Sequence, residues 1–256
     1  MTDLIIMNQH DSIAEIIINR PEKMNAITPE MSVELARICA EIDKDDGVRV
    51  VLLRGAGERA FCAGSDLKSL DSYDSAWAFR IRVEYGTTIR SLRKPVVAAL
   101  TGWVLGGGLE IMLGADLRVA GTGARFGAPE VTRGWVGGGG ASQFLPRLVG
   151  YGQAMRLLLT GDHIDAKEAF SLGLVEYLVA DDDVYETARA LCRKLASYSP
   201  LAVQSVKAAV RGALSMPLEA GMKYENELTC LCFAAGNYQE GSSAFGEKRS
   251  TKYAKD

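Results

Sequence analysis

Trp103-Val104-Leu105-Gly106-Gly107-Gly108-Leu109-Glu110 is the stretch on which the reading of this chain turns. Before it, Pro95-Val96-Val97-Ala98-Ala99-Leu100 is an apolar run of strand length. After it, Leu109-Glu110-Ile111-Met112-Leu113 reads as the first turns of a short buried helix. Three glycines between strand and helix let a backbone approach a ligand with no Cβ in the way. The helix N-terminus beyond them offers unpaired N–H groups, a place for negative charge. Glu110 sets a carboxylate in the first turn. Glu130, in Phe126-Gly127-Ala128-Pro129-Glu130, sets a second at another tight bend. Each feature alone has a plainer explanation: a first-turn Glu complements the helix dipole, and a glycine triplet marks a turn. Amides that stabilise an anion, beside two carboxylates, point together to an acid/base site.

Working outward, residues 48–55 form a strong buried strand. After it, Ala60-Phe61-Cys62-Ala63-Gly64-Ser65-Asp66-Leu67-Lys68 again lets small residues open into a helix. Residues 4–7 and 13–18 read as strands around a turn at His10-Asp11-Ser12. The loop Asn19-Arg20-Pro21-Glu22-Lys23-Met24-Asn25-Ala26 leads to a helix start, with Thr28 as N-cap, Pro29 first and Glu30 on the dipole. Met31, Leu35, Ile38 and Ile42 then recur at helical spacing, and the helix stops near Asp46-Gly47. Residues 69–76 are polar and poorly periodic, a mobile segment. A helix over 77–92 ends at the approach to Pro95. Residues 69–90 are expected to shape the pocket, since they follow the Ser65 turn. Trp77, Phe79 and Tyr85 read as core or pocket wall, core being commoner for aromatics on a helix. Residues 116–120 form another strand, and the glycines of 134–140 a flexible loop. Beyond about residue 130 the pattern is helical, over 141–149, 153–159, 166–172, 185–196, 200–214, 217–234 and from 239. The division expected is a core of residues 1–197 and a helical region of 198–256.

Composition excludes several classes. Twenty-nine Lys and Arg against 32 Asp and Glu leave a net charge of −3, with no basic excess for nucleic acid or an anionic membrane. Met1-Thr2-Asp3 lacks the basic start of a signal peptide. No run approaches the ~18 apolar residues that span a bilayer. Five scattered cysteines (Cys39, Cys62, Cys192, Cys230, Cys232) suit reduced thiols in a cytoplasm. His10 and His163 lie in no motif, so neither a triad nor a metal site is expected. Nucleotide-binding glycine loops and the GxSxG elbow are missing as well.

Asn19-Arg20-Pro21 with Asn25-Ala26, Ala60-Phe61 with Ala63-Gly64-Ser65-Asp66-Leu67-Lys68, Gly106-Gly107-Gly108-Leu109-Glu110, Phe126-Gly127 with Pro129-Glu130, and the tail from Phe233 to Arg249 resemble the crotonase (enoyl-CoA hydratase/isomerase) family. Order and spacing match from about residue 4 to residue 250. The resemblance implies an α/β fold, a spiral of ββα repeats with a C-terminal helical trimerisation region, assembled as a homotrimer or a hexamer of paired trimers. It implies an enoyl-CoA hydratase. The thioester oxyanion would be held by the backbone N–H groups of Ser65 and Gly107, preorganised donors of the kind that often supply the largest catalytic term. Glu110 would be the base on a water, and Glu130, 20 residues on as the hydratase pattern requires, would protonate the α carbon. The acyl-CoA would lie along Lys23, Ala26, Ala63, Ser65, Asp66, Leu67, Lys68 and Gly106, with the two lysines near the CoA phosphates or adenine. No cofactor is implied, since coenzyme A is part of the substrate, and no metal, nucleic acid or membrane partner. The alternatives are an isomerase of the same fold, a specialised hydratase for cyclic or branched acyl groups, and a non-catalytic RNA-associated relative. Two departures stand out: Val136-Gly137-Gly138 where many hydratases carry a proline, and Ala235-Gly236-Asn237 in place of an acidic pair.

Overall fold

Ile13-Ala14-Glu15-Ile16-Ile17-Ile18 is buried at every position and forms β2 (Ile13–Ile18), antiparallel to β1 (Ile5–His10) across a turn whose Asp11 has φ 55°. β1 runs three residues past its apolar part, because Asn8, Gln9 and His10 pair through backbone with Glu15, Ala14 and Ile13. The structure is a computed structural model and describes residues 3–253. Met1 and Thr2, read above for a leader, and the last three residues of the helical tail lie outside the described residues.

Thr28 caps α1 (Pro29–Lys44) by accepting a hydrogen bond from the Met31 amide, and the helix buries Met31, Leu35, Ile38 and Ile42 as their spacing requires. One step then repeats. A strand in a large sheet is followed by a short strand in a small sheet, then by helix. The pairs are β3 (Val50–Gly55) with β4 (Ala60–Cys62), β5 (Val96–Leu100) with β6 (Trp103–Leu105), and β7 (Leu117–Gly121) with β8 (Arg125–Gly127). β3, β5 and β7 are parallel neighbours in the large sheet, and β4, β6 and β8 are parallel neighbours in the small one. β9 (His163–Asp165) closes the small sheet antiparallel to β8, and β10 (Tyr177–Val179) joins the large sheet beside β7. The large sheet is therefore ordered β1-β2-β3-β5-β7-β10, and the chain forms the expected spiral of ββα steps.

The helices after α1 are α2 (Ala76–Arg80), α3 (Tyr85–Ser91), α4 (Gly107–Gly114), α5 (Ala141–Leu148), α6 (Tyr151–Thr160) and α7 (Ala166–Ser171). α8 (Val184–Ala196), α9 (Pro200–Gly212), α10 (Leu218–Ala234) and α11 (Asn237–Gly246) follow. Alternation along the strands divides the core. Val50, Leu52, Val97, Ala99 and Val119 face α8, through its Val184, Ala188 and Cys192. Val51, Leu53, Val96, Ala98 and Leu100 face the main core that α1 and α4 enter. Covered on both faces, these strands read as continuous apolar runs rather than as alternating ones. No helix among the described residues is long and apolar enough to cross a membrane.

Three sequence expectations change. Residues 77–92 are not one helix but α2 and α3, because Glu84 turns its carboxylate back to accept from the Gly86 and Thr87 amides, at 3.0 and 2.5 Å, and starts a new helix there. Residues 69–76 are in part the 3-10 helix Leu67–Ser72. Strands do not end near residue 130: β9 and β10 lie beyond it. The tail docks on the core through α9, whose Lys207 and Arg211 reach the two oxygens of Asp116 at 2.6 and 2.8 Å. α10 packs on α9 and α11 on α10.

The loop before α1 is pinned by Asn25, fully buried with φ 56°. Its side-chain oxygen accepts from the Arg20 amide at 2.9 Å, and its amide nitrogen donates to the Ala56 and Ala60 carbonyls at 3.0 and 2.7 Å. Asn25→Ala orphans all three partners and places alanine in a left-handed conformation. A loss of ~3 kcal/mol or more is expected from these groups. Urea unfolding at pH 7 measures it, and a loss under ~1 kcal/mol would contradict the pinning role.

Candidate active site

β6 delivers the chain to Gly106, whose φ of 54° and ψ of −121° suit only glycine, and α4 begins at the next residue. The helix thus starts inside the glycine triplet rather than after it. Every residue of α4 is buried. Gly108 sits so close to the end of β4 that a Cβ there would overlap the Cys62 carbonyl. This seat brings the first amide of α4 beside the Gly64-Ser65 turn: a Cβ on Gly64 would stand 3.0 Å from the Gly107 nitrogen.

The two amides proposed from the sequence are left available in different ways. A parallel bridge joins Ile27 to Ser65 through the Gly64 carbonyl and the Asp66 amide, each bond 2.8 Å, so the Ser65 N–H itself lies outside the ladder. Gly107 is the first helical residue, where no carbonyl four residues back exists to receive its N–H. Tyr85 touches this turn. Its phenol shares a 2.7 Å hydrogen bond with the Ser65 hydroxyl and blocks the space a side chain on Gly107 would need. Burial pushes the phenol's pKa up, so it stays neutral.

Glu110, on the first turn of α4, is buried. One of its oxygens accepts from the Gly139 and Ala141 amides at 2.7 and 3.2 Å. Burial raises its pKa from 4.5 to about 7 against these hydrogen bonds, with the charges of Glu84 and Glu130 adding to the rise. Glu130 stands in the 3-10 helix Pro129–Arg133 and points at the glycine turn before α4: a Cβ on Gly106 would lie 3.1 Å from its carboxylate oxygen. Burial raises its pKa too, while its own backbone amide and the nearby Arg133 pull the other way.

Both glutamates line one cavity of about 610 Å³, together with Lys23, Ala26, Ala63, Ser65, Asp66, Leu67, Gly106 and Gly107. Lys68 does not line it. The Asp66 carboxylate is already engaged, in a 2.7 Å ion pair with Arg20 that holds its pKa down, so its part at the cavity edge is to fix the turn. The cavity wall is Phe79, Arg82 and Tyr85 on one side and 133–138 on the other, and of these the sequence reading had not singled out Arg82. Phe79 lines the cavity, Tyr85 lines it while also packing against the main core, and Trp77 is exposed. The cluster of aromatics just beyond the Ser65 turn hinted at this wall. Among the described residues, no group of three or more His, Cys, Asp or Glu could hold a metal ion.

A family model described as enoyl-CoA hydratase/isomerase matches residues 8–256. The chain is 37% identical to the (E)-benzylidenesuccinyl-CoA hydratase of Thauera aromatica, over 97% of this chain and 98% of that protein. It is 35% identical to the short-chain-enoyl-CoA hydratase of Clostridium acetobutylicum, over 96% and 95%. The crystal structure of an enoyl-CoA hydratase from Bacillus anthracis is similar with a TM-score of 0.93 at 34% identity, covering 99% of this chain and 100% of that one.

The raised pKa of Glu110 has a signature in stability. The folded protein keeps a proton that the unfolded chain loses near pH 4.5, so between about pH 4.5 and 7 rising pH withdraws stability. Above that window the loss is complete. Glu110→Gln has no such proton to lose, and it should gain on the wild type as pH rises through the window, by at most ~3 kcal/mol. Urea unfolding of both proteins at pH 5 and pH 8 measures the change. A difference between them that does not vary with pH would contradict the raised pKa.

Proposed function

Because the chain belongs to the enoyl-CoA hydratase/isomerase family, we propose that its cavity is the active site of an enoyl-CoA hydratase, adding water syn across the 2,3-double bond of an acyl-CoA thioester. The observation that carries this reading is the pair Glu110 and Glu130, two carboxyls with raised pKa values facing one cavity beside two available amides. Hydration needs this set: a base for the water, an acid for carbon and donors for the oxyanion.

In the scheme, the thioester carbonyl oxygen accepts hydrogen bonds from the Ser65 and Gly107 N–H groups. A water between the glutamates loses a proton to Glu110 as its oxygen bonds to C3. The C2–C3 π electrons move toward the thioester, where the amides stabilise the enolate charge as it forms. Glu130 then gives its proton to C2, and the product is the 3-hydroxyacyl-CoA. Two carboxyls in one enclosed site resist double ionisation, which favours one of them acting as acid while the other acts as base. The Gly139 and Ala141 amides favour the charged form of Glu110 in particular, which supports its assignment as base. All steps reverse, and no cofactor enters them. A pure isomerase does not need both glutamates, which favours the hydratase among the family's activities.

The described part of the helical region of residues 198–256 leaves apolar side chains of α10 largely exposed in the single chain: Leu218 is 75% and Met222 57% exposed. An exposed terminal helix has no need of them. They support assembly into trimers or hexamers through this region. Light scattering at micromolar concentration is expected to give a trimer or hexamer mass, and a monomer would rule the assembly out.

Glu110→Gln and Glu130→Gln keep size and remove proton exchange. Each should lower kcat for crotonyl-CoA by about 10²–10⁴-fold, followed as loss of the enoyl absorbance. Binding of butyryl-CoA should persist, since the amides are untouched. The double variant should fall far short of the product of the single effects, because both residues hold the same water. Hydration near the wild-type rate by either single variant would end the two-glutamate scheme.

A further inference from the structure

Three cations line the cavity, and two of them pull an acid's pKa down from beyond ion-pair distance. Lys23 acts on Asp66, and Arg133 on Glu130. Arg82, like Lys23 and Arg133, has no carboxylate among the described residues within ion-pair distance. Its position is nevertheless fixed. One Nη donates to the Phe79 carbonyl at 2.9 Å, and the guanidinium lies 4.1 Å over the Phe79 ring, which in turn meets Trp135 at 5.5 Å. The other Nη turns to the glycine loop, where a Cβ on Gly138 would stand 2.5 Å away. The preceding residue, Gly137, faces Glu110 in the same manner, with 2.7 Å from its Cβ position to the carboxylate. Consecutive residues, about 3.8 Å apart at Cα, thus set the proposed base and a spare guanidinium along one wall.

A guanidinium presents a planar fork that matches a carboxylate, and it gives up water for one more readily than an ammonium does. An acyl-CoA with an uncharged tail offers Arg82 nothing at this wall. Resting on the hydratase reading above, we propose that the acyl group taken by this cavity carries a second carboxylate beyond the reacting double bond, and that Arg82 holds it. The substrate class is then the monothioester of an unsaturated dicarboxylic acid, its anionic end against Arg82 and its carbon chain beside Phe79 and Trp135. The same chemistry would serve a phosphate of coenzyme A, and the test separates the two sources.

Binding is measured by calorimetry with saturated thioesters that cannot be turned over: glutaryl-CoA against pentanoyl-CoA, and adipyl-CoA against hexanoyl-CoA. The wild type should prefer the carboxylated member of at least one pair by about 10–100-fold, the worth of a charged hydrogen-bonded pair. Raising the salt concentration should shrink that preference. Arg82→Leu should abolish it, and Arg82→Lys should keep part of it. The ratio within a pair carries the inference, because damage to the fold weakens both members alike. A wild type with no preference in either pair overturns the proposal, whether or not a variant folds. So does an Arg82→Leu that keeps the wild-type ratio; if it also weakens both members equally while unfolding in urea as the wild type does, the guanidinium serves the phosphates of coenzyme A. Hydration of pent-2-enedioyl-CoA and pent-2-enoyl-CoA is followed separately. If neither is hydrated the hydratase reading fails, while the binding ratios still decide the role of Arg82.

Discussion

An oxyanion site made of backbone requires two N–H groups that are buried, aimed alike and bonded to nothing else, a state the chain elsewhere avoids. Here everything hangs on how closely α4 sits on β4. With no side chain at Gly108, the first turn of the helix rests on the Cys62 carbonyl, and the Gly107 amide comes level with the Ser65 turn. The two sheets exist to hold this approach. Each ββα step moves one strand sideways in both sheets together, so the helix that follows β6 must start beside the turn that follows β4. Any Cβ at Gly108 would part the two turns.

Glu110 answers to opposing demands. Burial on a fully enclosed helix penalises its charge, and two amides from the 137–141 loop offset part of that penalty. Those amides reach it only because the loop is glycine: Cβ positions at Gly137 and Gly139 fall 2.7 and 2.8 Å from its oxygens. The stretch where many hydratases carry a proline is thus a close-fitting wall around the carboxylate. Glu84 adds a third negative group, itself satisfied by the α3 amides it caps. A proton affinity near neutrality is the balance of these terms, not a property of the glutamate alone.

Much of this was legible. Long apolar strands, the Thr28-Pro29 helix start and the two glutamates announce themselves through period, cap chemistry and spacing. Strands of three residues, such as β4, β6 and β9, carry no period, so they vanish into the motifs that flank them. Residues 77–92 satisfy a helical pattern throughout, and only the side chain of Glu84, folding back on its own backbone, breaks it. Tyr85 read as core because an aromatic on a helix usually is. That its hydroxyl meets Ser65 depends on a contact 20 residues away in sequence. The amides of Gly139 and Ala141 have no side-chain signal at all, and glycine-rich sequence suggested flexibility where the fold makes a cradle.

One wall of the cavity holds a carboxyl poised between charged and neutral and, one residue along the facing loop, a guanidinium with no carboxylate within ion-pair distance among the described residues. Opposite charges this near would ordinarily combine. A direct pair would lower the Glu110 pKa by about 1–3 units and strip the carboxylate of its appetite for a proton near neutrality. Each group is held by other partners instead. The Gly139 and Ala141 amides occupy one Glu110 oxygen, while the Phe79 ring and carbonyl hold the guanidinium back. The separation keeps the carboxyl basic enough to accept a proton and leaves the arginine a donor for something that arrives from outside. Backbone amides, unlike an arginine, can stabilise the charged glutamate in part while leaving its pKa near 7. A site that, as proposed, binds an anion and also keeps a base has its cation and its carboxylate facing consecutive loop positions, near each other but not paired.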